Sequence, residues 1–376
     1  MDNIKRIGIL TSGGDCCGLN AVLESVVRTA TLKGCEVLGF KRGYFGLYTN
    51  DYVVLTDELV YNILGKGGSI LGNSNKVNLF NYREEDENGN VTYSNVSNVA
   101  IENMKKDKVD ALIIVGGDGS ITSARDFMRA GIKVVCVPKT IDNDVPYTDQ
   151  TFGYSSAVAQ IVHAINSVRT TAFSHDRIMV LEVMGRHAGW LALEGGLAGN
   201  ADVILIPEIP YDIEKVAEDL ISRYKKGQTG AVVCVSEGAK SKTGEVVKRE
   251  DNKYPDSVKL GGIGERIAKE LEALIFPVTS QEVRSTNLGY IQRGGETDCY
   301  DKVLSFRYGS YAVEALYKGE YGKMVSLRGE ELTLIPITDV VGNGPVGETS
   351  KGGAKNVSLD SDLLRTAKSI GIEFGD

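Results

Sequence analysis

Glycines and aspartates gather in three short stretches of the first 150 positions, in a pattern suited to phosphate chemistry. They read Thr-Ser-Gly-Gly-Asp at 11–15, Gly-Gly-Asp-Gly-Ser at 116–120 and Pro-Lys-Thr-Ile-Asp-Asn-Asp at 138–144. Paired glycines leave backbone N–H groups unshielded, and phosphate oxygens accept from such groups. Asp118, Asp142 and Asp144 would repel a phosphate, so they imply a divalent cation or a proton-transfer role. Carboxylates at i and i+2 of an extended segment face one ligand, one as base while the other orients a cation or water. Plainer readings stay open: Gly13-Gly14 as a strand-to-helix turn, Asp118 as a helix cap, and 140–144 as an Asx-rich turn.

Further along, Arg177, Arg186, Arg284 and Arg293 stand at strand ends or glycine turns. Arg186 closes Met184-Gly185-Arg186, and Arg293 lies in Gly-Tyr-Ile-Gln-Arg-Gly-Gly at 289–295. Guanidinium forks suit phosphate oxygens, so four of them in an acidic chain point to an anionic substrate with a second phosphate.

The elements that must position these groups are legible as alternating patterns. Each of the three turns follows an apolar run: Ile7–Leu10, Ala111–Val115 or Val134–Val137. Further strands are predicted at Glu36–Phe40, Ile178–Glu182, Val203–Ile206 and Ala231–Val235. Helical patterns lie near 19–33, 120–130, 154–172, 187–198, 213–226, 261–274 and 301–318. The alternation predicts an α/β fold of two Rossmann-like, doubly wound domains with mainly parallel sheets. Ligands of such folds lie beyond the carboxyl ends of the strands, where the three turns fall. Residues 83–98 read as a polar hairpin, and 238–257 as a charged loop. We expect a phosphoryl-donor domain at 1–153 plus about 294–345, a sugar-phosphate domain at 154–293 and a tail at 346–376.

Composition narrows the function classes. The 376 residues are 42% apolar and 24% charged, with 44 glycines, 8 prolines and a net charge of −8. That charge argues against nucleic acid as a partner, though a local basic pocket remains compatible with it. No stretch approaches a membrane span, and no signal-like apolar run opens the chain. The six cysteines lack metal-type spacing and read as reduced thiols, so a cytoplasmic protein is expected. There is no P-loop signature, and no G-x-G-x-x-G follows a strand.

Taken together, the glycine and aspartate turns, Met-Gly-Arg and Gly-Tyr-Ile-Gln-Arg-Gly-Gly resemble the family of ATP- and pyrophosphate-dependent 6-phosphofructokinases. The resemblance spans about residues 5–320. It implies transfer of a phosphoryl group to the 1-hydroxyl of fructose 6-phosphate, with Mg2+. By position, Asp142 would be the base, with Thr140 and Arg186 beside it in the catalytic set. Gly14, Tyr44, Lys76, Gly117, Asp118, Gly119, Ser120 and Lys139 would bind the donor, Tyr44 beside the nucleotide base and Asp118 on the metal. Asp144, Met184, Gly185, Arg186, Glu237, Tyr290 and Arg293 would hold the sugar phosphate together with Thr140 and Asp142. Arg177 and Arg284 match arginines that reach this pocket from a neighbouring subunit, implying a homotetramer.

Departures from the family pattern bear on the donor. Lys139 is typical of pyrophosphate enzymes, whereas those usually carry aspartate where this chain has Gly119. A carboxylate at 119 would crowd the α-phosphate of ATP, so Gly119 favours ATP and pyrophosphate remains the alternative. Asn75 stands where the family often has arginine, and Lys76 follows it as a shifted point charge. Tyr290 replaces a common histidine. Glu24 and Gln228 occupy positions that are basic in the bacterial effector site, so control by ADP and phosphoenolpyruvate in that form is expected to be lost. A catalytically silent regulatory paralogue, or a NAD kinase read from Gly-Gly-Asp-Gly alone, are the readings from other classes.

Overall fold

The buried apolar runs become the central parallel strands, buried along their whole length and hence on both faces. The structure, a computed structural model, describes residues 4–75, 77–87, 89–244, 248–250, 258–348 and 353–376. The chain begins β1 (Arg6–Thr11), α1 (Leu19–Leu32), β2 (Glu36–Phe40), α2 (Tyr44–Thr49), β3 (Tyr52–Leu55) and α3 (Asp57–Val60). A hairpin of β4 (Tyr82–Glu85) and β5 (Val91–Ser94) leads to α4 (Ser97–Lys106), β6 (Ala111–Gly116), α5 (Asp118–Arg129) and β7 (Val134–Pro138). Next come α6 (Tyr154–Ser174), β8 (Ile178–Val183), α7 (Trp190–Ala198), β9 (Val203–Leu205), α8 (Ile213–Lys225) and β10 (Ala231–Ser236). Short strands β11 (Lys248–Glu250) and β12 (Val258–Leu260) precede α9 (Ile263–Thr279), β13 (Val283–Asn287) and a 3-10 turn at Gly289–Arg293. The chain closes with α10 (Cys299–Tyr317), β14 (Lys323–Arg328), β15 (Glu331–Pro336), α11 (Ile337–Val341) and α12 (Asp362–Ser369).

Two units result. One comprises Met1–Ile141, Val145–Ser156 and Arg293–Gly353; the other comprises Asp142–Asp144, Ala157–Gln292 and Ala354–Asp376. The first is built on a sheet of order β15-β14-β7-β6-β1-β2-β3. Its five central strands are parallel, and β3 and β15 close the edges antiparallel. Order reverses between β1 and β6, the point where crevices open in such sheets. The second unit carries the all-parallel sheet β13-β8-β10-β9. Leu10, Phe40, Ile114, Phe127 and Cys136 anchor the first core, and Val180, Leu205, Val233, Ile267 and Leu271 the second.

The α/β class with mainly parallel sheets stands as expected, and the polar stretch at 83–98 holds the β4–β5 hairpin. The tail is not one separate segment. Residues through Gly353 belong with the first unit and Ala354–Asp376 with the second. Part of the expected 238–257 loop forms β11, which pairs with β12 just beyond it, while 245–247 and 251–257 lie outside the described residues.

Three buried ionisable side chains secure the helices of the first unit. Arg125 of α5 is 0% exposed, bonded to Asp126 at 2.9 Å and to the carbonyls of Gly342 and Pro345 at 3.2 and 3.0 Å. The second Asp126 oxygen accepts from Gly347 N–H at 2.9 Å, so the pair pins the chain after α11 to α5. Asp301 of α10, also 0% exposed, accepts from the N–H and hydroxyl of Ser156 at 2.8 and 2.7 Å. Burial raises its carboxyl to about 6, against the lowering pull of the Ser156 bonds and with a further push from the charge of Asp298.

Removing one member of a buried ion pair leaves the other charge uncompensated. Arg125→Met should therefore lose about 3 kcal/mol of unfolding free energy in a denaturant titration; a loss under about 1 kcal/mol contradicts the role given to the pair. The Asp301 carboxyl gains a proton affinity on folding, so its contribution is present below its ordinary value of 3.8 and is lost as pH rises through about 6. Asp301→Asn should flatten the fall of the unfolding midpoint between about pH 4 and pH 6. An unchanged pH dependence in that variant contradicts the assignment.

Candidate functional site

Three neighbouring strands of the first unit end at one level. Thr11 of β1 is in register with Val115 of β6, and Gly116 of β6 with Pro138 of β7. The turns that follow them therefore emerge side by side, and they are bonded together. Ser12 N–H donates to Val115 O at 2.9 Å, and Lys139 N–H to Gly116 O at 3.0 Å. The Lys139 side chain is only 5% exposed, and its ammonium donates to the carbonyl of Gly14. The Arg293 guanidinium lies on the same turn: a Cβ at Gly14 would overlap it, and Nη1 is 3.4 Å from Asp15 O. Two cations thus back a glycine turn in an otherwise acidic protein.

The second turn opens α5. Gly117 is its N-cap and supplies no side-chain cap, and Asp118 sits in the first turn rather than at the cap. That removes the simplest structural reason for an aspartate here, and it leaves the helix N-terminus as a place where an anion gains from oriented N–H groups. Gly119 is exposed, and a Cβ there would have nothing within 4 Å. A helical residue with open space would ordinarily gain about 0.5–1 kcal/mol as alanine, so the bare position points to space kept for a ligand. For a divalent cation the donor set is sparse. Among the described residues no group of three or more His, Cys, Asp or Glu could hold a metal. Asp118 alone fits an ion that takes one or two carboxylates and completes its shell with phosphate oxygens and water, as Mg2+ does.

The second unit forms its own loop cluster. Gly185 has φ 124, a conformation L side chains rarely adopt, and a Cβ there would stand 2.6 Å from Ser236 Oγ. Its carbonyl accepts from Ser236 Oγ at 2.6 Å and from Gly238 N–H at 3.1 Å. Glu237 N–H donates to Val183 O at 2.8 Å, so Met184–Arg186 after β8 and Glu237 after β10 are laced together. Met184 N–H donates to the buried Gln292 Oε1 at 3.1 Å, which ties in the turn carrying Tyr290. Arg186 is exposed, and Tyr290 is 78% exposed. Burial, then the nearby Arg186 charge, lowers His187 below its ordinary value, with the Asp144 carboxylate opposing. Asp142–Asp144 belong to this unit, with Asn143 between the aspartates in the left-handed region at φ 52.

Tyr44 lies differently from the expectation, and the remaining expected residues are placed as follows. Tyr44 is 2% exposed, stacked on Phe127, with its hydroxyl donating to Ser120 O at 2.7 Å. It therefore supports the second turn from within the core instead of facing a nucleotide base. Arg293 rests on Gly14 and Asp15 of the first unit. Arg177 and Arg284 share the carboxylate of Glu282, at 2.8 and 3.0 Å, so one glutamate faces two guanidinium charges at the β13 edge. Thr140 is half-buried, and its carbonyl accepts from Thr151 Oγ1 at 2.8 Å. Lys76 lies outside the described residues. Glu24 is buried and paired with Arg28 at 3.3 Å, while Gln228 donates to Asp202 Oδ1 at 2.7 Å.

Sequence reasoning missed Glu182 and Glu208. Glu182 accepts from Gly262 and Gly264 N–H groups at the start of α9 and from Asn287 Nδ2 at 2.6 Å. An acid within the apolar run Ile178–Val183 was the available signal, since a buried carboxylate must be hydrogen-bonded. Glu208 had no comparable mark.

Comparison with known proteins places this geometry in context. The family model described as Phosphofructokinase matches residues 6–316. The chain is 52% identical over 378 residues to ATP-dependent 6-phosphofructokinase 2 of Clostridium perfringens, covering 100% of both chains. It is 44% identical over 373 residues to ATP-dependent 6-phosphofructokinase of Chloroflexus aurantiacus, covering 99% of this chain and 98% of that one. Among solved structures, phosphofructokinase of Pichia pastoris in the T-state aligns with a TM-score of 0.74 and 29% identity. That alignment covers 90% of this chain, which spans 36% of the yeast chain's length. A pyrophosphate-dependent phosphofructokinase from Nitrosospira multiformis aligns at TM-score 0.77 over 99% of this chain and 93% of its own, and at 22% identity it shows the shared fold. The chain belongs to the phosphofructokinase family.

Proposed function

We propose that this protein transfers the terminal phosphoryl group of ATP to the 1-hydroxyl of fructose 6-phosphate, the committed phosphorylation of glycolysis. The observation that carries the reading is the convergence of the turns at 11–15, 116–120 and 138–141 at the level ends of β1, β6 and β7. ATP is favoured over pyrophosphate by the open space at Gly119. It is favoured also by Lys139, whose charge is engaged on the Gly14 carbonyl beneath the turn. The names of the similar proteins from Clostridium perfringens and Chloroflexus aurantiacus point the same way.

In this reading Asp142 accepts the proton of the 1-hydroxyl as the oxygen attacks phosphorus, and the pair Asp142–Asp144 keeps the sugar end acidic and hydrogen-bonded. The Gly14 backbone and Thr140 meet the transferring group. Gly117, Asp118, Gly119 and Ser120 meet the donor phosphates at the α5 N-terminus, with Tyr44 holding Ser120 from behind. Asp118 would hold Mg2+, which would supply charge neutralisation at the donor phosphates. Met184, Gly185, Arg186, Glu237, Tyr290 and Arg293 are assigned to the sugar phosphate. Arg177 and Arg284 are assigned to the same pocket of a neighbouring copy, in a homotetramer; their surplus of charge over Glu282 supports this. Among the described residues no helix is long and apolar enough to cross a membrane. We propose a cytoplasmic location, since donor and acceptor are intracellular metabolites.

Assay of the purified protein with fructose 6-phosphate, Mg2+ and either donor should give turnover with ATP and little with pyrophosphate; the reverse pattern overturns the donor assignment. Gly119→Asp should raise the ATP KM about tenfold, the equivalent of ~1.4 kcal/mol, and a KM equal to wild type contradicts the role of that space. Asp142→Ser should lower kcat by about 100- to 10,000-fold while the sugar KM changes little, because a base acts chiefly in the transition state. Near-normal turnover in that variant removes Asp142 from the mechanism.

A further inference from the structure

The segment after Gly353 lies beyond the span matched by the family, residues 6–316, yet it is bonded to the turn that carries both aspartates. Within the second unit, Lys355 N–H donates to Asp144 O at 2.7 Å, and Lys355 Nζ donates to Asn143 Oδ1 at 3.1 Å. The Lys355 carbonyl accepts from the Trp190 indole N–H at 2.6 Å, and its ammonium stands 5.5 Å from the centre of the indole ring. Two residues on, Val357 N–H donates to Glu208 at 2.8 Å. The same carboxylate accepts from Gly189 N–H at 3.0 and 3.1 Å. One short strap is therefore fastened on one side to Asn143 and Asp144. On the other it is fastened to Gly189 and Trp190, just past the loop that bears Arg186.

Asn143 is the point under tension. It is 5% exposed and holds φ 52 between two aspartates. A non-glycine residue persists in that region only where its surroundings determine it. Lys355 holds it twice, through the amide oxygen of its side chain and through the carbonyl of the next residue.

We propose that Lys355 is a positioning residue for phosphoryl transfer, fixing the Asp142–Asp144 turn and locking it to the loop of Arg186. The inference rests on the phosphofructokinase reading above. It predicts an effect on the rate and not on binding, because a carboxylate displaced by about 1 Å costs on the order of 100-fold.

Three single variants and one double variant test it, read by kinetics, by the unfolding midpoint and by tryptophan emission. Lys355→Met removes the ammonium while keeping the strap's backbone bonds. Asn143→Gly removes the oxygen it holds and leaves a residue at ease with positive φ. Lys355→Arg restores a donor. Lys355→Met and Asn143→Gly should each lower kcat by about 10- to 100-fold, with both KM values and the unfolding midpoint near wild type. The double variant should lose no more than either single one, and Lys355→Arg should recover most of the rate. Trp190 is the chain's single tryptophan, so its emission reads the strap without turnover; it should shift in Lys355→Met and in Asn143→Gly alike. A Lys355→Met kcat within twofold of wild type overturns the proposal. Losses that multiply in the double variant, or that appear in KM or stability instead of kcat, do the same. Wild type inactive with both donors overturns the functional reading instead; the emission of Asn143→Gly then decides the brace, a shift supporting it and an unchanged spectrum overturning it.

Discussion

Everything at the donor side depends on three parallel strands stopping at the same height. β1, β6 and β7 lie side by side with Thr11, Val115 and Val137 level across them, so the turns that follow have no choice but to meet. Lys139 then fixes their spacing. Its backbone N–H is bonded to Gly116, and its ammonium to Gly14, from a position that is almost wholly buried. A buried ammonium is tolerated only where carbonyl or carboxylate oxygens replace its water. The Gly14 carbonyl does this, and in doing so the lysine holds the turn's shape from below.

Charge is arranged against the grain of the whole molecule. A chain of net charge −8 would repel polyphosphate, yet Lys139 and Arg293 stand behind the first turn and a helix N-terminus opens the second. Asp118 brings negative charge to the second donor turn, and a phosphate-bound cation gives it a use. In the second unit the logic is positional: Ser236, Gly238 and Gln292 bind the Met184–Arg186 loop through its backbone, leaving the Arg186 side chain exposed for a ligand.

How much of this could be read from the residues follows from what each one contributes. β6 is legible because Ala111–Gly116 is buried along its whole length, and a continuous apolar run has one simple meaning. β13 is not: Val-Arg-Ser-Thr-Asn is an edge strand with one buried residue, and its pairing with β8 leaves almost no trace in hydrophobicity. Tyr44 illustrates a different limit, since a motif position says nothing about which way a ring turns, and this one turns into the core against Phe127. Lys139 was visible as a lysine next to the acidic turn, but its engagement with Gly14, 125 positions away, exists only once β1 and β7 flank β6. Lys355 and Glu208 were beyond reach for the same reason. Their partners are fixed by folding of the second unit, and neither sits in a patterned segment.

The most direct test is a crystal structure of the protein with a non-hydrolysable ATP analogue, Mg2+ and fructose 6-phosphate. The account predicts the terminal phosphate against the Gly14 backbone and Thr140, a metal ion on Asp118, and the 1-hydroxyl within hydrogen-bond reach of Asp142. A terminal phosphate bound away from all three turns, or Asp142 out of reach of the sugar, would contradict it.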